Sequence, residues 1–76
     1  MRNGKITLAE ANEMIKVGSD VYVIENGRVA PRRVLAVRRN NVKTDKGVLL
    51  FKDHLETWYI TEMFARLEAK KRRRAL

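Results

Sequence analysis

The sequence predicts an α+β domain: a small antiparallel barrel of four to five short strands, flanked by a short N-terminal and a C-terminal helix. Short β-rich runs alternate with turn signals through the middle of the chain. A helix-capping tetrapeptide precedes them, and an aromatic-Thr-Glu entry to a second helix follows. With 76 residues the chain is too short for a broad two-sheet sandwich. Curling into a partly open barrel is the economical way to bury apolar residues of both parities and limit free strand edges.

Thr7-Leu8-Ala9-Glu10 reads as a capping box, in which the Thr7 hydroxyl and the Glu10 carboxylate satisfy orphan amides reciprocally. Leu8, Ala11 and Ile15 then fall on one stripe with Met14 beside it, predicting a helix over 8–16. Gly18 is placed as the left-handed residue after its end. Val21-Tyr22-Val23-Ile24-Glu25 is β-rich, and Asn26-Gly27 after it is the strongest short hairpin signal, because both residues tolerate positive φ. The return strand runs from Arg28 to about Arg39. Pro31 within it marks an edge, a bulge or a bend. Val34 to Val37 are apolar at both parities between two Arg pairs, which predicts a strand centre covered on both sides. Asn40-Asn41 is a turn, Val42-Lys43-Thr44 a short strand, Asp45-Lys46-Gly47 a turn, and Val48-Leu49-Leu50-Phe51 another strand. Trp58-Tyr59-Ile60 is a last short strand, closing a barrel over 21–60. Thr61 caps a basic helix over 61–73, whose apolar face is read as Ile60, Phe64 and Leu67 with Met63 beside them. Glu62 with Arg66 and Glu68 with Arg72 are i,i+4 pairs in the favoured order.

Val21 to Ile24, the basic strand, Thr44-Asp45-Lys46-Gly47, the Phe-containing strand and Trp58-Tyr59-Ile60-Thr61 before an Ala/Glu/Lys helix together resemble the small SH3-like barrel proteins of bacterial phages and integrated mobile elements. The resemblance spans roughly Val21 to Ala69. It implies the fold, and carries no diagnostic functional motif. The capped first helix and the strongly basic tail depart from it. Related barrels bind RNA or peptides, so the fold does not select a function.

Charge is the most informative functional signal. Asn26 to Thr44 holds six bases (Arg28, Arg32, Arg33, Arg38, Arg39, Lys43) and no acid. Arg66 to Leu76 holds six bases (Arg66, Lys70, Lys71, Arg72, Arg73, Arg74) against Glu68 alone. The net charge is +8, so the remainder is acidic on balance. Segregated cations are the electrostatic footprint of a polyanion binder. The leading expectation is a non-enzymatic nucleic-acid-binding accessory protein acting through DNA or RNA phosphates. Arg32, Arg33, Arg38, Arg39 and Lys43 would form a groove, and Lys70, Lys71, Arg72, Arg73 and Arg74 a clamp. The bland reading of these residues is a solvated helix end and edge-strand charges that block aggregation. An adaptor docking on an acidic partner protein is the alternative. An obligate homodimer through Trp58, Tyr59 and the last helix is a third.

Other chemistry finds little support in the sequence. Tyr22, Phe51, Trp58 and Tyr59 are candidates for base stacking, but Phe51 and Trp58 read as core. His54 is the only histidine, and Asp53-His54-Leu55-Glu56 reads as a polar connection, not a metal or acid–base site. No metal, cofactor or catalytic residue is expected. The absence of Cys excludes disulfides and thiolate metal cages. The longest apolar runs are four residues, against the ~20 of a membrane span. Met1-Arg2-Asn3-Gly4-Lys5 leads into no apolar leader segment, and a single cytoplasmic domain over 1–76 is the expectation.

Overall fold

The structure, a computed structural model, describes residues 6–74. The leader expectation concerns Met1 to Lys5, which lie outside the described residues, as do Ala75 and Leu76 at the end of the chain. The chain is α+β: helix α1 (Leu8–Met14), strands β1 (Asp20–Glu25), β2 (Arg28–Val37), β3 (Asn41–Thr44), β4 (Gly47–Leu50) and β5 (Trp58–Tyr59), and helix α2 (Glu62–Arg74). The strands form one five-stranded sheet in the order β4-β3-β2-β1-β5. Every strand pairing is antiparallel. The sheet curls into a half-barrel.

The capping box forms as its spacing predicts. The Thr7 hydroxyl accepts from the Glu10 amide at 3.2 Å, and the Glu10 carboxylate accepts from the Thr7 amide at 2.9 Å. The helix stops at Met14, before the expected Lys16. Ile15 is extended at φ −116°, and its side chain is buried in the core. Gly18 (φ +91°) therefore serves the turn into β1 instead of capping the helix. Its amide donates to the Val34 carbonyl at 2.9 Å and ties that turn to β2.

Asn26 and Gly27 take φ +52° and +77° and close a two-residue hairpin between Glu25 and Arg28. A Cβ at Gly27 meets nothing within 4 Å, so backbone strain alone resists substitution there. Gly27→Ala is expected to cost about 1 kcal/mol. In urea denaturation this appears as a lower midpoint with an unchanged slope.

Strand β2 changes partners along its length. Arg28 to Arg33 pair with β1, and Val34 to Val37 pair with β3 across an irregularity between Val34 and Ala36. This bulge turns the corner of the curl. Pro31 lies in the half that has β1 on one side only, so its missing N–H removes no ladder bond to β3. The expectation that Val34 to Val37 are covered on both faces is corrected. Val34 is fully buried, but Leu35 is 47% exposed. The irregularity falls at Leu35, whose side chain faces outward.

The concave side holds the core: Val21, Val23, Val34, Val42, Leu49, Phe51 and Trp58, with Ala11 of α1 and Ile15 just after it packed in. Phe51 opens a 3-10 turn (Phe51–Asp53) instead of extending β4. Trp58 is completely buried, and its indole N–H donates to the Leu50 carbonyl at 2.7 Å. His54 is buried against it, the rings 4.9 Å apart.

Helix α2 packs against β1, β2 and β5. Ala65 and Ala69 are its buried residues. The sequence pattern assigned the docking face to Ile60, Phe64 and Leu67, and the structure corrects this. Met63, Phe64 and Leu67 are 70%, 59% and 53% exposed. Small side chains bring the helix backbone close to the sheet, so the bulky stripe turns to solvent. Strand pairing places Trp58 opposite Val23 and Tyr59 opposite Tyr22, so the two aromatics of β5 face opposite sides of the sheet. Tyr59 is also buried, at 2% exposure. Trp58 and Tyr59 are thus both buried within the single chain. Among the described residues no helix is long and apolar enough to cross a membrane.

Candidate functional site

At about 100° per residue, α2 presents three stripes. Ala65, Ala69 and Arg72 lie toward the sheet. Arg66, Lys70 and Arg73, spaced four and three apart, lie on one flank. Met63, Phe64 and Leu67 lie on the side away from the sheet. The Arg66 flank runs past the β1–β2 hairpin. There Arg28, Gly27 and Val29 join Arg66, Lys70, Ala69 and Arg73 around a shallow groove of about 370 Å³. Cations from two distant stretches of chain therefore meet on one surface. Arg66 is paired with Glu62. Arg28, Lys70 and Arg73 make no ion pair among the described residues. Glu25 lies directly opposite Arg28 across the turn, yet it is held by Arg32. The groove is thus a concentration of positive charge whose two neighbouring carboxylates, Glu25 and Glu62, are both engaged.

The other expected site residues are dispersed. Arg32 has a side chain only 19% exposed and is bound to Glu25. Arg33 bonds Asp20 at 3.4 Å, and its amide donates to the Asp45 carboxylate at 3.0 Å. Its surroundings hold Asp20, Asp45 and Lys46, so local charge is close to balanced. Arg38 and Arg39 are exposed beyond the far end of β2. At about 3.3 Å per residue they lie on the order of 30 Å along the strand from Arg28. Lys43 is exposed on β3, opposite Val48. Arg32, Arg33, Arg38, Arg39 and Lys43 are therefore spread from the β1-paired half of β2 to its far end and onto β3.

The tail residues divide too. Lys70 and Arg73 join Arg28. Lys71 and Arg74 line a second groove of about 630 Å³ with Leu55, Tyr59, Phe64, Leu67 and Glu68. Arg72 is a structural anchor. Its guanidinium donates to the Glu56 carbonyl at 2.6 Å and the Tyr59 hydroxyl at 3.2 Å, and bonds Glu68 at 3.3 Å. Arg28 and Arg66 lay outside the residues expected to bind. Their signal was legible: Arg28 follows the Asn-Gly turn, and Arg66, Lys70 and Arg73 share a helical stripe. What the sequence withheld was the face on which α2 docks.

Burial pushes the Tyr59 phenol above its ordinary value, Arg72 acting against this and Glu68 with it. A phenol held above its unfolded value of 10.0 binds its proton more tightly in the folded state. The stability this brings is whole below about pH 10 and is lost as pH rises through the folded value. Stability is expected to fall as pH rises above about 10 more steeply than in Tyr59→Phe, as read by urea denaturation at each pH.

Among the described residues no group of three or more His, Cys, Asp or Glu side chains is placed to hold a metal ion. Comparison with protein-family models, with curated proteins and with solved structures gives no match to this chain.

Proposed function

We propose that the chain binds nucleic acid through its phosphates, on the surface formed by Arg28, Arg66, Lys70 and Arg73. The observation carrying this reading is the meeting of the two basic stretches around one groove whose neighbouring carboxylates, Glu25 and Glu62, are already paired. Arginine suits phosphate because its planar fork engages two oxygens at once. From Arg66 to Arg73 the stripe rises about 10 Å along the helix, enough to follow successive phosphates of a strand. Arg38, Arg39, Lys43, Lys71 and Arg74 add a diffuse positive field that steers a polyanion inward. With no aromatic side chain lining the groove among the described residues, contact is to backbone with little base readout. The curled sheet is read as an SH3-like barrel, a reading supported by β5 pairing back onto β1 to narrow the curl.

The test is anisotropy titration of mixed-sequence DNA and RNA at increasing salt. Affinity is expected to fall log-linearly, with a slope of about 0.9 per duplex phosphate contact. Absence of binding at about 20 mM salt, where such contacts are strongest, would falsify the proposal.

A further inference from the structure

The nucleic-acid surface occupies one flank of α2 and leaves the outward stripe of the helix unexplained. Met63, Phe64 and Leu67 are more than half exposed there, and Leu55, 46% exposed, continues the apolar surface on the neighbouring turn. A surface helix of a globular protein ordinarily turns such a stripe inward. Here Ala65 and Ala69 hold the sheet, and the bulky residues face solvent. Grooves run on both sides of Leu67, one bounded by Phe64 and Leu55, the other by Met63 and Arg66. At its C-terminal end the stripe passes into Lys70, Lys71 and Arg74, none in an ion pair among the described residues.

We infer that this face of α2 docks an acidic amphipathic helix of a partner protein. A ridge with a groove on each side is the relief into which a second helix packs. The i, i+3 and i+4 spacing of Met63, Phe64 and Leu67 matches helix-on-helix anchoring. The cations that follow call for carboxylates flanking the partner's apolar stripe. The same helix of a second copy, packed on this face, supplies no free carboxylate. The carboxylates of α2 are Glu62 and Glu68, each already held within its own helix by Arg66 and Arg72. A bilayer surface does not fill grooves of this relief, and Glu68 within the larger one opposes anionic headgroups.

The probe is a labelled synthetic helix of roughly 18 residues, long enough to fold on contact, with Leu at i, i+3, i+4 and i+7 and Glu on both flanks. Its control is the same composition scrambled so that no stripe forms. The probe is expected to bind the native chain with micromolar affinity. Paired Phe64→Ser and Leu67→Ser are expected to weaken it tenfold or more with a melting temperature lowered by no more than about 5 °C, since more than half of each side chain is exposed. Leu67→Gln alone provides a milder check on folding. Arg28→Ala with Arg73→Ala should leave peptide binding within about twofold while lowering nucleic-acid affinity, which separates this surface from the proposed phosphate site. Equal binding of the scrambled peptide, or no binding at about 200 μM, overturns the inference. So does a Phe64-dependent dimer in sedimentation, or Phe64-dependent capture by phosphatidylglycerol vesicles in place of the peptide.

Discussion

Trp58→Ala is expected to remove most of the stability of the domain. Trp58 has no exposed surface, pairs with Val23 of β1, and meets the His54 ring at a tilt. Emptying such a site costs about 3–5 kcal/mol through lost transfer energy and the cavity left behind. The Leu50 carbonyl also loses its indole donor at 2.7 Å, which adds about 1 kcal/mol. A chain of 76 residues has roughly 4–11 kcal/mol in total. The variant should therefore show a broad, low-temperature melt by circular dichroism, or none. Phe64→Ala removes a comparably large side chain and is expected to change stability by less than about 0.5 kcal/mol, because Phe64 is 59% exposed. A loss below about 2 kcal/mol for Trp58→Ala would mean that the half-barrel is not closed around this residue.

The second large effect concerns the groove between the hairpin and α2. Arg28→Ala, Lys70→Ala and Arg73→Ala together are expected to reduce the salt slope of duplex DNA binding by about 2.7, at roughly 0.9 per contact. At about 0.1 M salt this amounts to a loss in affinity on the order of 10²–10³. The comparison set is Arg33→Ala, Arg38→Ala and Arg39→Ala, which removes the same formal charge. Its cations lie beside carboxylates or at the far end of β2, so its slope should change by less than half as much. Equal effects from the two sets would show that net charge alone governs binding, and would remove the groove from the account. Because Arg72 ties α2 to Tyr59 and Glu56, Arg72→Ala is unsuited to this comparison: it disturbs helix docking as well as charge.

Much of the backbone was legible beforehand, for local reasons. Thr7 and Glu10 satisfy one another three residues apart, and the α1 capping box follows from that spacing. Asn26 and Gly27 tolerate left-handed φ, and they close the hairpin where two β-rich runs meet. Phe51 and Trp58 were read as core, and both are buried. The errors sit where a residue's role depends on something distant. Ile15 leaves the helix early because the core claims its side chain. Leu35 points outward because a bulge shifts parity within β2.

The candidate site shows the same division. Its ingredients, two basic stretches and an α2 stripe of Arg66, Lys70 and Arg73, can be read directly from the residues. Of the residues expected to form a groove along β2, Arg32 and Arg33 are engaged by Glu25 and Asp20, while Arg38 and Arg39 lie beyond the strand's other end. Strand pairing and strand length produce that separation, and neither is encoded at any single position.

Caps, turns and the alternation of apolar residues act over a few neighbours, so the order of elements and the α+β class are written locally in this chain. The side of α2 that meets the sheet is set by a competition between faces remote in sequence, and the small alanines win because they permit the closest approach. That outcome brings Arg28 beside Arg73 and leaves Phe64 and Leu67 in water, and both proposed surfaces arise from it.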